Sequence, residues 1–479
     1  MTVEKLIIKN TGFVFISSIA NKLFAAFFIA YAARVLGPGD FGLYAFIGTI
    51  GFLFFSFANF GIGPMAVREI SREKEKAKLL FNNVLALRIS IVLLAYPILI
   101  LVVNVLGYKD NVKQLVYIVG LTAVFSTFSN SFKILYMAYE KFKVPSLVSI
   151  LVSFLSSVFN ILALYYGYGL KGIVIISLIG NVLGAAISGI WLRKKFFKYK
   201  FSFNLSVWKD LTLQSIPYAV ILFFQQTNRF LNILLLSRLP GPLPGELAMG
   251  YYNPPSSINK LTMMLPYSLK QAALPTVSAN VENTQLIKDI IKGSTEKLLV
   301  LIVFPLIVAT TFFPTEIITI IFGEAYLPSV TAFIILGWAS ALQVFNTPVS
   351  MTLTATREIK KFIPWSILIF CVNLILAVPL IIYYSFLGAA IAFLVSKVIE
   401  TFLRNYLLKT VWGISRLGMM ESFKVLIPMA IIFFILLILH LYSVNNIIIL
   451  ILAIMSYLLF VFSMRGFRRK ILEILRRDG

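Results

Sequence analysis

The sequence predicts an all-α polytopic membrane protein: about fourteen transmembrane helices, arranged as two parallel-repeat six-helix lobes around a central cleft plus two extra C-terminal helices. Three observations carry this. Of the 479 residues, 59% are hydrophobic and 13% are charged, about half the charged share of a soluble domain. Apolar runs of roughly 20 residues, enough to cross a bilayer, recur from near the start almost to the end. No segment between them is long enough to fold by itself as a soluble domain, so function is expected inside the helical bundle.

Taken in order, the first run covers 10–35 and breaks at the Gly37-Pro38-Gly39 turn, after which 41–66 returns. A small-residue cleavage site does not follow the first run, so a removable signal segment is not expected. The basic stretch from Arg68 to Lys78 separates it from 81–107, and "GYKDN" turns the chain into 113–138. Runs 144–169 and 171–193 are separated by "GYGLKG", and Lys194 to Asp210 forms a basic connector. Beyond it lie 211–238, a Gly/Pro corner and 247–272, then 294–315 and 328–355. Runs 362–383, 387–409, 419–442 and 446–464 complete the series before a basic tail.

Lys and Arg number 43 against 19 Asp and Glu, a formal net charge of +24. That excess does not point to nucleic acid, because it is distributed by loop: with the N-terminus placed in the cytoplasm, alternate loops hold nearly all the cations. Clusters such as Arg193, Lys194, Lys195, Lys198 and Lys200 set topology and attract anionic lipid headgroups. The expected location is the cell membrane, with both termini cytoplasmic and the chain monomeric. The single cysteine, Cys371, permits no internal disulfide and no Cys-rich metal site. The single histidine, His440, reads as an interfacial polar residue. Neither a metal nor a cofactor is called for.

The chain repeats itself. "ARVLGPGDFGLY" at 33–44 returns as "SRLPGPLPGELAMGYY" at 237–252, with a short insertion at the turn. Each copy has an arginine at the end of a rising span, a Gly/Pro corner, and a glycine with an aromatic at the start of a descending one. An even number of spans separates the copies, so both halves enter the membrane in one orientation. The expected domains are an N-lobe at 1–193, the connector at 194–210, a C-lobe at 211–409, and two extra spans with the tail at 410–479.

Ionisable groups within the bilayer cost about 2.5–3.5 kcal/mol each on insertion scales, so they face a polar cavity or a partner. Lys22, Arg229, Lys260 and Lys397 fall near mid-span, Arg88 nearer the cytoplasmic side, and Arg34 and Arg238 at the outer rim. Helical spacing puts Gln225, Arg229 and Asn232 on one face of the seventh span, and Asn21 beside Lys22 on a polar stripe of the first. Lys397, Glu400 and Arg404, spaced i, i+3 and i+7, form either a structural ion ladder or a coupling site. Arg34 and Arg238 either cap helix ends or serve an outer gate. A hollow lined by cations and nearly free of carboxylates suits a phosphate-bearing substrate.

Here "RVLGPGDFGLY", "RFLNILLLSRLPG", "ALPTVS" and "IIFGEAYLPSVTAF" resemble the polysaccharide-biosynthesis flippases, relatives of O-antigen and lipid-linked-oligosaccharide exporters, in a superfamily that also holds multidrug exporters. The resemblance runs from about residue 5 to about residue 410 and departs at Asn228, where the family's seventh span often carries an acidic residue. It implies two six-helix lobes, a central cavity, alternating access, and movement of a polyprenyl-pyrophosphate-linked glycan from the inner to the outer leaflet. It also implies that the first, seventh and eighth spans surround the cleft, where Lys22, Asn21, Gln225, Arg229, Asn232, Lys260 and Arg34 are the substrate-binding candidates; Arg88, a membrane cation of the third span, is added to them.

Two alternatives stay open on the residues. A cation-coupled multidrug exporter of this architecture needs membrane carboxylates, and Glu400 is the one on offer. A membrane enzyme acting on lipid-linked glycans needs an extracytoplasmic loop, an Asp-rich metal motif or an acid/base pair, and the sequence supplies none of these.

Overall fold

The computed structural model describes residues 3–355, 363–412, 423–442 and 444–463, apart from 60, 265, 268, 271–276 and 278–282. Every regular element among them is helical. The first, α1 (Val3–Asn59), contains two spans, because Gly37 breaks it with φ 70° and ψ 174°, a backbone that only glycine adopts cheaply. There follow α2 (Ile62–Arg72), α3 (Ala77–Val105), α4 (Asp110–Ala138), α5 (Lys143–Tyr165), α6 (Gly169–Lys195), α7 (Leu205–Leu236) and α8 (Gly245–Thr262). After α9 (Thr284–Leu298) a π-turn, Leu299–Val303, leads into α10 (Phe304–Phe312); α11 (Pro314–Phe322), α12 (Ser329–Phe345) and α13 (Thr347–Ala355) follow. α14 (Ile363–Trp412) is again two spans, broken at Ser385, and α15 (Phe423–Leu441) and α16 (Asn446–Ser463) end the described chain.

Among the described residues seven helices are long and apolar enough to cross a membrane, and the two longest are the broken pairs α1 and α14. The shorter apolar helices α12, α15 and α16, with the polar α7 and α8, bring the total to the fourteen expected. Large apolar side chains such as Leu94, Leu101, Phe159, Phe434 and Leu459 stand exposed, as a surface bathed in acyl chains requires.

Two compact units form. The first is Met1–Asn253 with Ile381–Phe386; the second is Pro254–Leu380 with Leu387–Gly479. Compactness therefore divides the chain past the connector, with α7 grouped among the first six spans.

In the first unit α1, α4, α5 and α6 pack on one another and α3 packs on α4. The core runs through Phe81, Leu85, Val92, Phe132 and Leu135, with Leu211 of α7 included. The connector is docked onto this bundle. The side-chain oxygens of Asn82 and Asn83 accept from the backbone nitrogens of Lys200 (3.1 Å) and Asn204 (3.0 Å). Phe196, Phe197, Tyr199 and Trp208 pack against the core, and Arg193 stacks 4.6 Å over Tyr199. Phe196, Phe197 and Tyr199 of "FFKYKF" anchor the segment while Lys198 and Lys200 are exposed.

In the second unit, α15 and α16 close against α10 and α12 through Phe304, Phe312, Val344, Met429 and Ile449. The ring of His440 lies edge-on to Phe312 at 5.7 Å. Gly337 lets α12 approach Thr310 of α10, the small-residue device that replaces hydrophobic drive inside a bilayer.

Candidate substrate-binding site

α7 begins at Asn204, whose side chain caps the helix by accepting from the Ser206 and Val207 amides. It lies against α1, α2 and α3, with Phe230 5.1 Å from Phe52 of α1. That packing brings Arg229 close enough to Lys22 of α1 for the two positive charges to act directly on each other. Among the described residues neither is paired with a carboxylate. The two like charges oppose each other, on top of the cost of placing each inside a membrane. Packing alone supplies no reason to retain such a pair.

Beside the pair, Asn21 donates to Ser149 Oγ of α5 at 2.6 Å, while its own Oδ1 is buried without a partner. Gln225 is exposed one turn below Arg229, which is also exposed. Asn232, by contrast, is 2% exposed and donates to Tyr252 Oη at 3.1 Å, tying α7 to α8. The polar stripe on α7 thus splits between an open part and a helix clasp. Arg88 is 2% exposed in the interior of α3.

At the rim away from the basic loops the two copies of the repeat meet. A methyl group on Gly42 would collide with the Glu246 carbonyl and come within 2.6 Å of the Gly250 nitrogen; one on Gly250 would collide with the Pro38 carbonyl. Only paired glycines permit this approach. Next to it Arg238 stacks 3.7 Å over the Tyr108 ring, Tyr108 Oη lies 3.1 Å from Ser237 Oγ, and Lys109 pairs with Glu246 at 3.0 Å. Gly241 rests against the turn at Ile381 and Ser385, and Tyr251 packs on Phe386. Arg34 is exposed close in sequence to Pro38. Tyr108 was not a sequence candidate: nothing in "GYKDN" marks it as the partner of an arginine 130 residues away.

The second unit holds the remaining candidates. Lys260 is half-buried on α8. Lys397 donates to Glu400 Oε2 at 2.7 Å, and Arg404 reaches Glu400 Oε1 with Nε at 2.8 Å and Nη2 at 2.7 Å. All three are buried, so Glu400 is a carboxylate already saturated by two cations. Thr401, the next residue along, accepts from Asn346 Nδ2 at 2.8 Å, and Lys270 donates to Ser350 Oγ at 3.1 Å.

The model of the polysaccharide biosynthesis protein family matches residues 7–281. The chain is 23% identical over 422 residues to the capsular polysaccharide biosynthesis protein CapF of Staphylococcus aureus, covering 85% of this chain and 100% of that one. Its fold is similar to the lipid II flippase MurJ in an inward closed conformation, with a TM-score of 0.77, 18% identity, and coverage of 96% and 99% of the two chains. It is also similar to an inward-facing multidrug resistance transporter of the MATE family, with a TM-score of 0.68, 15% identity, and coverage of 82% and 94%.

Proposed function

The chain belongs to the polysaccharide biosynthesis protein family, and on that premise we propose that it is an alternating-access flippase. It carries a polyprenyl-(pyro)phosphate-linked oligosaccharide from the cytoplasmic to the outer leaflet of the cell membrane, acting as a monomer with both termini cytoplasmic. The observation that carries this reading is the pair Lys22 and Arg229, two positive charges that act on each other and that no carboxylate pairs with among the described residues. Lysine meets a phosphate as a point charge and arginine as a planar fork, so the two together suit a pyrophosphate. Asn21 and Gln225 offer amides to the first sugars; Lys260, in the second unit, is a separate candidate cation. The isoprenoid stays in lipid, where its burial costs nothing.

The cation-coupled exporter reading requires an available membrane carboxylate. Glu400 carries two cations already, which favours the ion-ladder reading of Lys397, Glu400 and Arg404 over a coupling role.

The test is reconstitution into liposomes with a fluorescent polyprenyl-pyrophosphate glycan and a membrane-impermeant quencher. Protein-dependent exchange between leaflets supports the assignment. Exchange no faster than in empty liposomes, in vesicles that do move a cationic dye, overturns it in favour of the exporter.

A further inference from the structure

The first unit contains a second positive group that the proposed transport route does not use. Among the described residues Arg88 is the largest fully buried side chain, 2% exposed, and its Nε and Nη1 have no hydrogen-bond partner. It is the twelfth residue of α3, about 16 Å along the axis from Ala77. The residues one helical turn away, Val84, Leu85, Ile91 and Val92, are all apolar.

A guanidinium cannot escape this setting by losing its proton. Burying an uncompensated ion costs several kcal/mol, a large part of the 5–15 kcal/mol that separates folded from unfolded domains. A counter-charge is required, and among the described residues the unit's carboxylates are engaged or placed elsewhere. Among the described residues, Glu69 pairs with Arg68, Glu73 with Lys76, Asp110 with Lys113 and Glu246 with Lys109, all at helix ends. Asp40, Glu75, Glu140 and Asp210 likewise lie in turns or terminal helical turns.

We propose that Arg88 binds one small inorganic anion, of which chloride is the simplest, inside the N-terminal bundle. The anion is small because a side chain 2% exposed offers no opening for a glycan or a lipid headgroup. It is an anion and not water alone because water leaves the net charge in place. The fork of five N–H donors supplies its coordination. The site holds the bundle together and is independent of the transport reading.

The experiment uses the full chain purified in detergent with sodium gluconate, then equilibrated with radioactive chloride and passed through a desalting column. The proposal expects about one retained chloride per protein, and less than about a tenth of that in Arg88→Met. Replacing gluconate by chloride at equal ionic strength should raise the unfolding midpoint of the wild type by about 3 °C, and equally that of the surface control Arg68→Gln, but not of Arg88→Met. Should Arg88→Met fail to fold, Arg88→Lys keeps the charge without the fork and should release chloride faster than the wild type. No retained chloride in the wild type, or equal retention in the Arg88 variants, overturns the proposal.

Discussion

Gly42 packs against the backbone at Gly250: a Cβ on Gly42 would meet the Glu246 carbonyl and the Gly250 nitrogen, and one on Gly250 would meet Pro38, four residues before Gly42. Gly42 and Gly250 are the matching glycines of the internal repeat, so the two halves touch through the same residue in each copy. The contact admits no Cβ. Gly250→Leu, made in a Cys371→Ser background with a reporter Ser237→Cys, should lower flipping at least about tenfold, a barrier increase near 1.4 kcal/mol. The reporter should also gain reactivity toward a bulky impermeant maleimide. Unchanged labelling would mean that this rim does not pack as described.

Arg238 and Tyr108 close the same rim by stacking. Arg238 is exposed, and a cation–aromatic pair at such a site contributes about 0.5–1 kcal/mol. In a double-mutant cycle, Arg238→Ala and Tyr108→Leu should each lower the thermal midpoint, and the pair should cost less than the sum of the two. Tyr108→Phe should retain most of the coupling, because it keeps the ring and loses only the contact to Ser237. Strict additivity would rule out a direct interaction.

Glu400 neutralises two buried cations at once. Glu400→Gln takes from Lys397 and Arg404 the carboxylate they share, with an expected loss of about 3–5 kcal/mol. Replacing all three by apolar residues of similar size should cost less than that single change, as judged by thermal unfolding in detergent. If the triple variant is stable and flips substrate, the ladder is structural. If it is stable and inactive, the three residues serve transport.

The docked connector gives a fourth expectation. Asn82→Leu with Asn83→Leu leaves the amides of Lys200 and Asn204 without acceptors, a penalty of about 1–3 kcal/mol for each that stays buried. Limited trypsin digestion should then cut at Lys198 or Lys200 several-fold faster than in the wild type. Equal cleavage rates would mean that the aromatic residues alone hold the segment.

Much of the fold was legible because a bilayer permits so few solutions: apolar runs of the right length had to be helices, and Gly37 had to be a turn. Neighbours across the bundle were not legible. Tyr108 meets Arg238, and Asn21 meets Ser149, through packing of helices far apart in sequence, and no local pattern encodes such pairs. The polar stripe on α7 was read by spacing, yet spacing does not distinguish the exposed Gln225 from Asn232, which is turned into a clasp with Tyr252. Arg88 was legible as a membrane cation but not as a fully buried one, since its isolation depends on where every carboxylate of the unit ends up.

The central claim is that Lys22 and Arg229 jointly hold the phosphates of the substrate. Its most direct test is the flipping rate against substrate concentration for wild type, Lys22→Gln, Arg229→Gln and Lys22→Arg, in liposomes carrying matched amounts of folded protein. Each neutral substitution should raise the apparent KM at least about tenfold, the loss of one charge-assisted contact of about 1.4 kcal/mol or more, while Lys22→Arg stays close to wild type. Wild-type kinetics in both neutral variants would contradict the account.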